Sequence, residues 1–305
     1  MLTPEQIVLR KNGIGGSDIA AVCGLDKFRA PIDVWVDKTT PPDEHVELTT
    51  PDIYRGTYLE DGIRQWYSKL TGHKVEKSGV LFHPEYKFIF ASPDGIIKQS
   101  HVLEIKSPRR GDDWGEEFTD DIPECYIPQV TWECACAQLP RADVAALIFG
   151  ELKQYHVAYD EDLFKSLAKI AEHFWQEYVV ENVPPPADDT KQYETYLRGK
   201  FSSHTEEMLA ANGDLEEAAL ELKKLEQEIA DLENQAQARK NIIQGYIGEA
   251  AGVEGPWGKI TWKRSKDSSA IDYKAIVAEL SPSKEILAKH TTVKLGSRRF
   301  LKKFI

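Results

Sequence analysis

The stretch FASPDGIIKQSHVLEIKSP, residues 90–108, decides how this chain is read. It is apolar like strand sequence, yet Asp94 follows a proline, and Glu104 and Lys106 flank Ile105 inside an aliphatic run. Taken as a hairpin, FIFAS (88–92) and HVLEIKS (101–107) are the strands, and the residues between them carry the turn. Residues two apart on a strand share a face, so Glu104 and Lys106 point one way and Ile105 points to the core. Asp94 falls at or just past the end of the first strand, where pairing brings its carboxylate beside Glu104. Burying such carboxylates unpaired is costly. Two arrangements relieve the cost. In one, Lys106 neutralises one acid in a structural ion pair while the other acid faces solvent. In the other, a hard divalent cation sits between Asp94 and Glu104, with the Ile105 carbonyl and waters completing an oxygen set of the kind Mg2+ accepts. Lys106 then holds or helps deprotonate an attacking water, or stabilises charge on phosphate. Spacing alone leaves both open.

Outward from this stretch, residues 1–182 alternate helical and strand patterns. GSDIAAVCGL (16–25) reads as a short helix capped by Ser17. YLEDGIRQWYSKLTG (58–72) has helical apolar spacing ended by Gly72. At least three short strands follow between residues 74 and 108. CYIPQVTWECACAQL (125–139) suits a helix with Pro128 in its first turn. VAALIFG (144–150) and KQYHVAYD (153–160) read as strands, and residues 161–182 as a long amphipathic helix. The order predicts an α/β core with a central mixed β-sheet flanked by helices.

VPPPADDT (183–190) breaks this pattern and opens a linker and helical connection reaching residue 213. Residues 214–250 are heptad-like, with Leu215, Ala218, Leu222, Leu225, Ile229 and Leu232 at a/d spacing. They predict a coiled-coil helix that either packs along its own domain or joins further copies. Residues 251–305 form a small α+β tail. GKITWKR (258–264) reads as a half-buried strand, IDYKAIVAEL (271–280) as a helix and RRFLKKFI (298–305) as a last strand or tail. Lys294, Arg298, Arg299, Lys302 and Lys303 make this end basic. Such a face is either solvated or touches DNA or a partner.

The 305 residues suffice for one large or two smaller domains, and 41% hydrophobic with 29% charged residues is a globular composition. A net charge of −12 argues against a general nucleic-acid coat, but not against a nucleic-acid enzyme with a local basic groove. No apolar run approaches the roughly 18 residues of a membrane span, and no signal peptide is visible at MLTPEQIVLR. Four cysteines, Cys23, Cys125, Cys134 and Cys136, form no CxxC pair. Reduced, mostly buried thiols and a cytoplasmic location, in a bacterium or a phage-infected cell, are expected.

SPDG followed by LEIKSP resembles the PD-(D/E)xK nuclease signature. RKNGIGGSDIAAVCG (10–24), RGTYLEDGIRQWY (55–67) and YIPQVTWECAC (126–136) surround it in the order seen in the phage lambda-type exonucleases, or YqaJ-like viral recombinases. The resemblance implies a restriction-endonuclease-like core over residues 5–180. Asp94, Glu104 and Lys106 match the family's catalytic residues. Glu60 matches the acid of the first core helix, and Gln129 the glutamine beside the active site. An aromatic often follows that glutamine in the family; here Trp132 and Glu133 follow, a departure. Arg10 and Ser17 match residues that grip a terminal 5′ phosphate. The glycine-rich loop before Ser17 suits close approach to an anion, although a bare Ser N-cap explains it equally. Glu85 is a further acid with no firm equivalent. The segment 109–124 reads as a mobile loop by the active site, where Arg109 and Arg110 either touch DNA or pair with acidic neighbours.

The implied activity is a Mg2+-dependent exodeoxyribonuclease, with Mn2+ as a substitute, digesting one strand of linear duplex DNA from its 5′ end. The 3′ tail would pass to a single-strand annealing protein, and the family's ring-shaped trimer implies a homo-oligomer. An endonuclease of the same fold in restriction or repair, and a non-catalytic DNA-end-binding adaptor, are the rivals.

Overall fold

The computed structural model describes residues 4–44, 50–293 and 300, which divide into two units, 1–200 and 201–305. The first unit begins with α1 (Pro4–Arg10), β1 (Ile14–Gly15), α2 (Gly16–Val22), α3 (Pro31–Thr39) and α4 (Pro51–Thr71). Four short strands follow: β2 (Leu81–Phe82), β3 (Ile89–Ala91), β4 (Gly95–Ile97) and β5 (His101–Lys106). Then come α5 (Ile127–Ala137), β6 (Arg141–Ile148), β7 (Glu151–Ala158), α6 (Glu161–Phe174) and α7 (Lys191–Lys200).

Local sequence sets several of these limits. Thr50 caps α4 by accepting the Ile53 N–H at 3.2 Å, Pro51 fits its first turn, and Gly72 ends it at φ 74°, a conformation glycine adopts freely. Pro128 lies in the first turn of α5. Asp160 caps α6 through the N–H groups of Asp162 and Leu163. Beyond Phe174 the helix widens into a π turn over Trp175–Val180, where a continuous α-helix was expected. The prolines at 184–186 then break it, but the unit runs on to residue 200, because Tyr193 of α7 packs against Ala30 and Ile32.

Two mixed sheets result, ordered β1-β3-β2 and β4-β5-β6-β7. β5 is antiparallel to β4 and parallel to β6, with α5 supplying the crossover that parallel pairing requires. The hairpin expected between FIFAS and HVLEIKS does not form. β3 pairs with β1 and β2. The hairpin partner of β5 is β4, with Gly95 opposite Leu103 and a turn in which Gln99 takes φ 57°. Pro93 has no N–H to continue a ladder, so Ser92–Asp94 steps from one sheet to the other.

The faces of β5 alternate as its sequence requires. Leu103 packs with Ile63, Tyr67, Ala145 and Leu152 on the α4 side, with Ile105 beside them. Val102 packs with Val130, Cys134 and Val144 on the α5 side. A third cluster surrounds Trp132, whose indole N–H donates to the Ile14 carbonyl at 3.2 Å. Burying each such large apolar side chain contributes about 1.5–3 kcal/mol. Cys134 and Cys136 are buried, Cys23 and Cys125 half-buried, and all four are free. Burial pushes the Cys23 thiol up to about 11.

The second unit holds α8 (Gly213–Ile247), capped by Asn212, the antiparallel pair β8 (Gly252–Gly255) and β9 (Gly258–Thr261), α9 (Tyr273–Leu280) and α10 (Lys284–Lys289). Leu215, Leu225, Ile229 and Leu232 of α8 are exposed. β9 is exposed along its length rather than half-buried. Lys294, Arg298, Arg299, Lys302 and Lys303 lie outside the described residues. Among the described residues no helix is long and apolar enough to cross a membrane.

Candidate active site

The step between the sheets places Asp94 against Arg64 of α4 and the end of β5. Its Oδ2 accepts the backbone N–H of Ile105 at 2.7 Å, and its carbonyl accepts Arg64 Nε at 2.9 Å. Arg64 is buried and forms ion pairs with Glu60 and Asp61, one turn earlier on α4. Burial, then the charges of Glu104 and Glu60, push the Asp94 carboxyl well above the ordinary carboxylate range, against a smaller pull from the Ile105 N–H and Lys106. Three predicted acids thus act on one another at one place.

Lys106 Nζ donates to Glu104 Oε1 at 2.7 Å and to Gln129 Oε1 at 2.9 Å. The ammonium also lies 4.5 Å from the centre of the Tyr126 ring. Burial opposes its charge, but the Glu104 carboxylate outweighs this and raises the Lys106 pKa above its ordinary value. Held in this way, the ammonium is a fixed donor at the edge of the acids. The Gln129 amide is oriented from both ends. Its oxygen faces Lys106, and its NH2 donates to Glu104 at 2.7 Å and to Glu133 Oε1 at 2.9 Å.

Glu60, Asp94, Glu104 and the carbonyl of Ile105 are hard oxygen donors, three carboxyl groups set beside the two cations Lys106 and Arg64. Buried Glu133 adds a fourth carboxyl group, and its Oε2 has no hydrogen-bond partner among the described residues. This donor set fits Mg2+. Among the described residues no three His, Cys, Asp or Glu side chains converge as a ready cage. Glu60 is turned to Arg64 and Glu104 to Lys106, so a cation competes with these protein cations for the same oxygens.

Arg10 donates to Ser17 Oγ at 3.4 Å. Ser17 was expected to cap α2, but it lies inside the helix. Gly15 occupies the cap position, and its N–H is taken by the Asp18 carboxylate at 3.1 Å. Asp18 is also fixed from elsewhere: Lys38 Nζ reaches it at 2.6 Å and Arg29 at 2.9 Å. Lys38 donates also to the Arg10 carbonyl at 2.8 Å. Burial alone would raise Asp18, but Lys38, Arg29 and Arg10 hold its carboxyl well below the ordinary range. Ser17 is left exposed beside the Arg10 guanidinium. The loop passes close to the acids: a Cβ on Gly16 would stand 3.4 Å from Glu133 Oε1 and 3.7 Å from Gln129 Cγ. A Cβ on Gly13 would fall 2.2 Å from the Phe88 carbonyl oxygen, so that position requires glycine.

Other candidates lie elsewhere. Glu85 is exposed in the turn before β3, its N–H directed to His83. Arg109 pairs with Asp52 of α4 at 2.5 Å rather than with its own segment, and Arg110 is exposed. The 109–124 segment is anchored: Trp114 packs on Tyr126 and Tyr155, and Phe118 and Thr119 hydrogen-bond to Gln154 and His156 of β7.

Sequence reasoning missed three features. The Asp18–Lys38–Arg29 group is a tertiary contact without a local signature. Glu133 was noted only as a departure, although its spacing from Gln129 puts both on one face of α5. At the far end of β5, buried His101 and Asp143 form a cluster with Tyr67, which donates to Asp143 Oδ2 at 2.5 Å, and with His156 at 2.9 Å. Burial opposes it, but these partners lower the Asp143 carboxyl to about 2.

Residues 7–140, which include all of the predicted site residues and Glu133, match the YqaJ-like viral recombinase domain. Over 300 residues, 92% of each chain, the sequence is 29% identical to uncharacterized protein YqaJ of Bacillus subtilis (strain 168). The fold is similar to the crystal structure of an alkaline exonuclease (LHK-Exo) from Laribacter hongkongensis. That match has a TM-score of 0.50 at 20% identity, covering 66% of this chain and 100% of that one.

Proposed function

From the match of residues 7–140 to the YqaJ-like viral recombinase domain, we propose that the protein is a Mg2+-dependent exodeoxyribonuclease. It digests one strand of linear duplex DNA from the 5′ end and leaves a 3′ single-stranded tail for strand-annealing recombination. The observation that carries this reading is the Lys106 ammonium clamped between Glu104 and Gln129, beside an Asp94 carboxylate fixed to the Ile105 N–H.

Asp94, Glu104, Glu60 and the Ile105 carbonyl would hold the cation. Mg2+, with Mn2+ as substitute, supplies polarisation of the phosphate and a water acidified for attack. Lys106 keeps its charge and donates to the water or to a phosphate oxygen. Gln129 holds Lys106 in place and cannot itself titrate. Ser17 and the Arg10 guanidinium, which is always charged, take the terminal 5′ phosphate. The single-stranded product passes to an annealing protein, and the chain works as a homo-oligomer, a trimer by family resemblance.

The test is digestion of linear duplex carrying 5′-phosphate or 5′-hydroxyl ends, with and without Mg2+, beside a closed circle. Loss of the linear substrate only with Mg2+, faster from phosphate ends, with the circle intact, is the expected result. Nicking of the circle would replace it with an endonuclease, and end binding without digestion with an adaptor.

A further inference from the structure

Glu133 presents a carboxyl oxygen that its visible role does not use. It is 1% exposed. One oxygen, Oε1, accepts the Gln129 amide, while Oε2 is buried and without a hydrogen-bond partner among the described residues. Lys106, the ammonium within this group, directs its hydrogen bonds to Glu104 and Gln129. If Glu133 served only to orient Gln129, a neutral amide oxygen would accept the same N–H. Leaving a polar atom of this kind buried and unpaired is costly, and more so when it carries charge. Such an atom persists where the working state brings it something positive.

Glu133 and Glu104 are held together, because both accept from the one NH2 group of Gln129, at 2.9 and 2.7 Å. Glu133 therefore borders Glu104, one of the acids assigned above to the cation, and comes from α5, whereas Glu60 comes from α4.

We propose that Glu133 is a further anionic arm of the cation site, raising its affinity through its charge and accepting, at Oε2, a hydrogen bond from a cation-bound water. The proposal rests on the functional reading above and adds a positioning residue to it. Its place one turn after Gln129 makes Gln129 the link through which Glu133 also steadies Lys106.

The experiment is a Mn2+ titration without DNA, read by the electron paramagnetic resonance of free Mn2+ and by calorimetry, on wild type, Glu133→Gln and Glu133→Ala. Glu133→Gln keeps size and the acceptor for Gln129 and removes the charge. It is expected to bind Mn2+ about tenfold more weakly, as loss of an outer-sphere partner does. Without metal it should melt no lower than wild type, and Mn2+ should raise its Tm by less. Equal Mn2+ affinity in wild type and Glu133→Gln overturns the proposal, and so does weakening confined to Glu133→Ala, which would assign Glu133 to packing alone. A wild type that takes up no Mn2+ would sink the functional reading itself, which separates the two failures.

Discussion

The Asp94 carboxylate accepts the backbone N–H of Ile105 at 2.7 Å. The step between the two sheets is therefore pinned to β5 by one of the residues proposed to do chemistry. Asp94→Asn retains an oxygen for that N–H and removes repulsion from Glu104 and Glu60. Digestion should fall by about a hundredfold or more, the scale of losing cation assistance worth several kcal/mol. The metal-free Tm should hold or rise, as thermal unfolding beside a nuclease assay would show.

Lys106→Met has the opposite signature in stability. It leaves Glu104, 4% exposed, without its ammonium. Breaking such a buried pair costs about 3 kcal/mol. Activity and metal-free stability should both fall, and denaturant unfolding with and without Mg2+ should show the cation restoring part of the loss.

Asp94 and Glu133 are both held above the ordinary carboxylate range, by burial first and by Glu104 next. An acid raised by folding contributes its stability in full below its unfolded value, about 4, and loses it as pH rises through the folded value. Metal-free protein should thus lose Tm as pH climbs above about 4 through these raised values. Mg2+ favours the ionised acids, so its stabilising effect should grow over the same interval. Melting curves across pH, with and without Mg2+, check both trends.

Asp143 has the reverse sign. Lowered to about 2, it supports the fold above its unfolded value of about 4, and this support drains away as pH falls towards 2. Tyr67→Phe deletes a hydrogen bond to that carboxylate and should destabilise by about 1–2 kcal/mol, with midpoint denaturant concentration as the readout.

Arg10→Ala should slow digestion from 5′-phosphate ends while leaving 5′-hydroxyl ends nearly unchanged. The ratio of the two rates, rather than either rate, is the measurement. A ratio equal to wild type would remove Arg10 from phosphate recognition.

How much was legible in the sequence follows from the range of each interaction. Asp94, Glu104 and Lys106 stood out because charges in an aliphatic run conflict with strand burial, and Gly72 and Pro128 because backbone rules act locally. The pairing of β3 was misjudged, since Pro93 marks a break without saying which strand lies beyond it. Ser17 looked like a cap, but α2 starts one residue before it, with Asp18 on the Gly15 N–H and held by Lys38, twenty positions away from Asp18. His101 and Asp143 meet Tyr67 and His156 only through the sheet and α4, and no short spacing announces them.

The salt link from Lys38 to Asp18 has a last consequence, for binding thermodynamics. With Asp18 fastened to Gly15 and Lys38 fastened to the Arg10 carbonyl, the loop from Arg10 to Ser17 is ordered before any ligand arrives. The conformational entropy of arranging its groups is lost during folding, and little of it remains to oppose association. Anion capture there should be preorganised, with a modest entropy penalty and an affinity that tracks ionic strength more than loop motion.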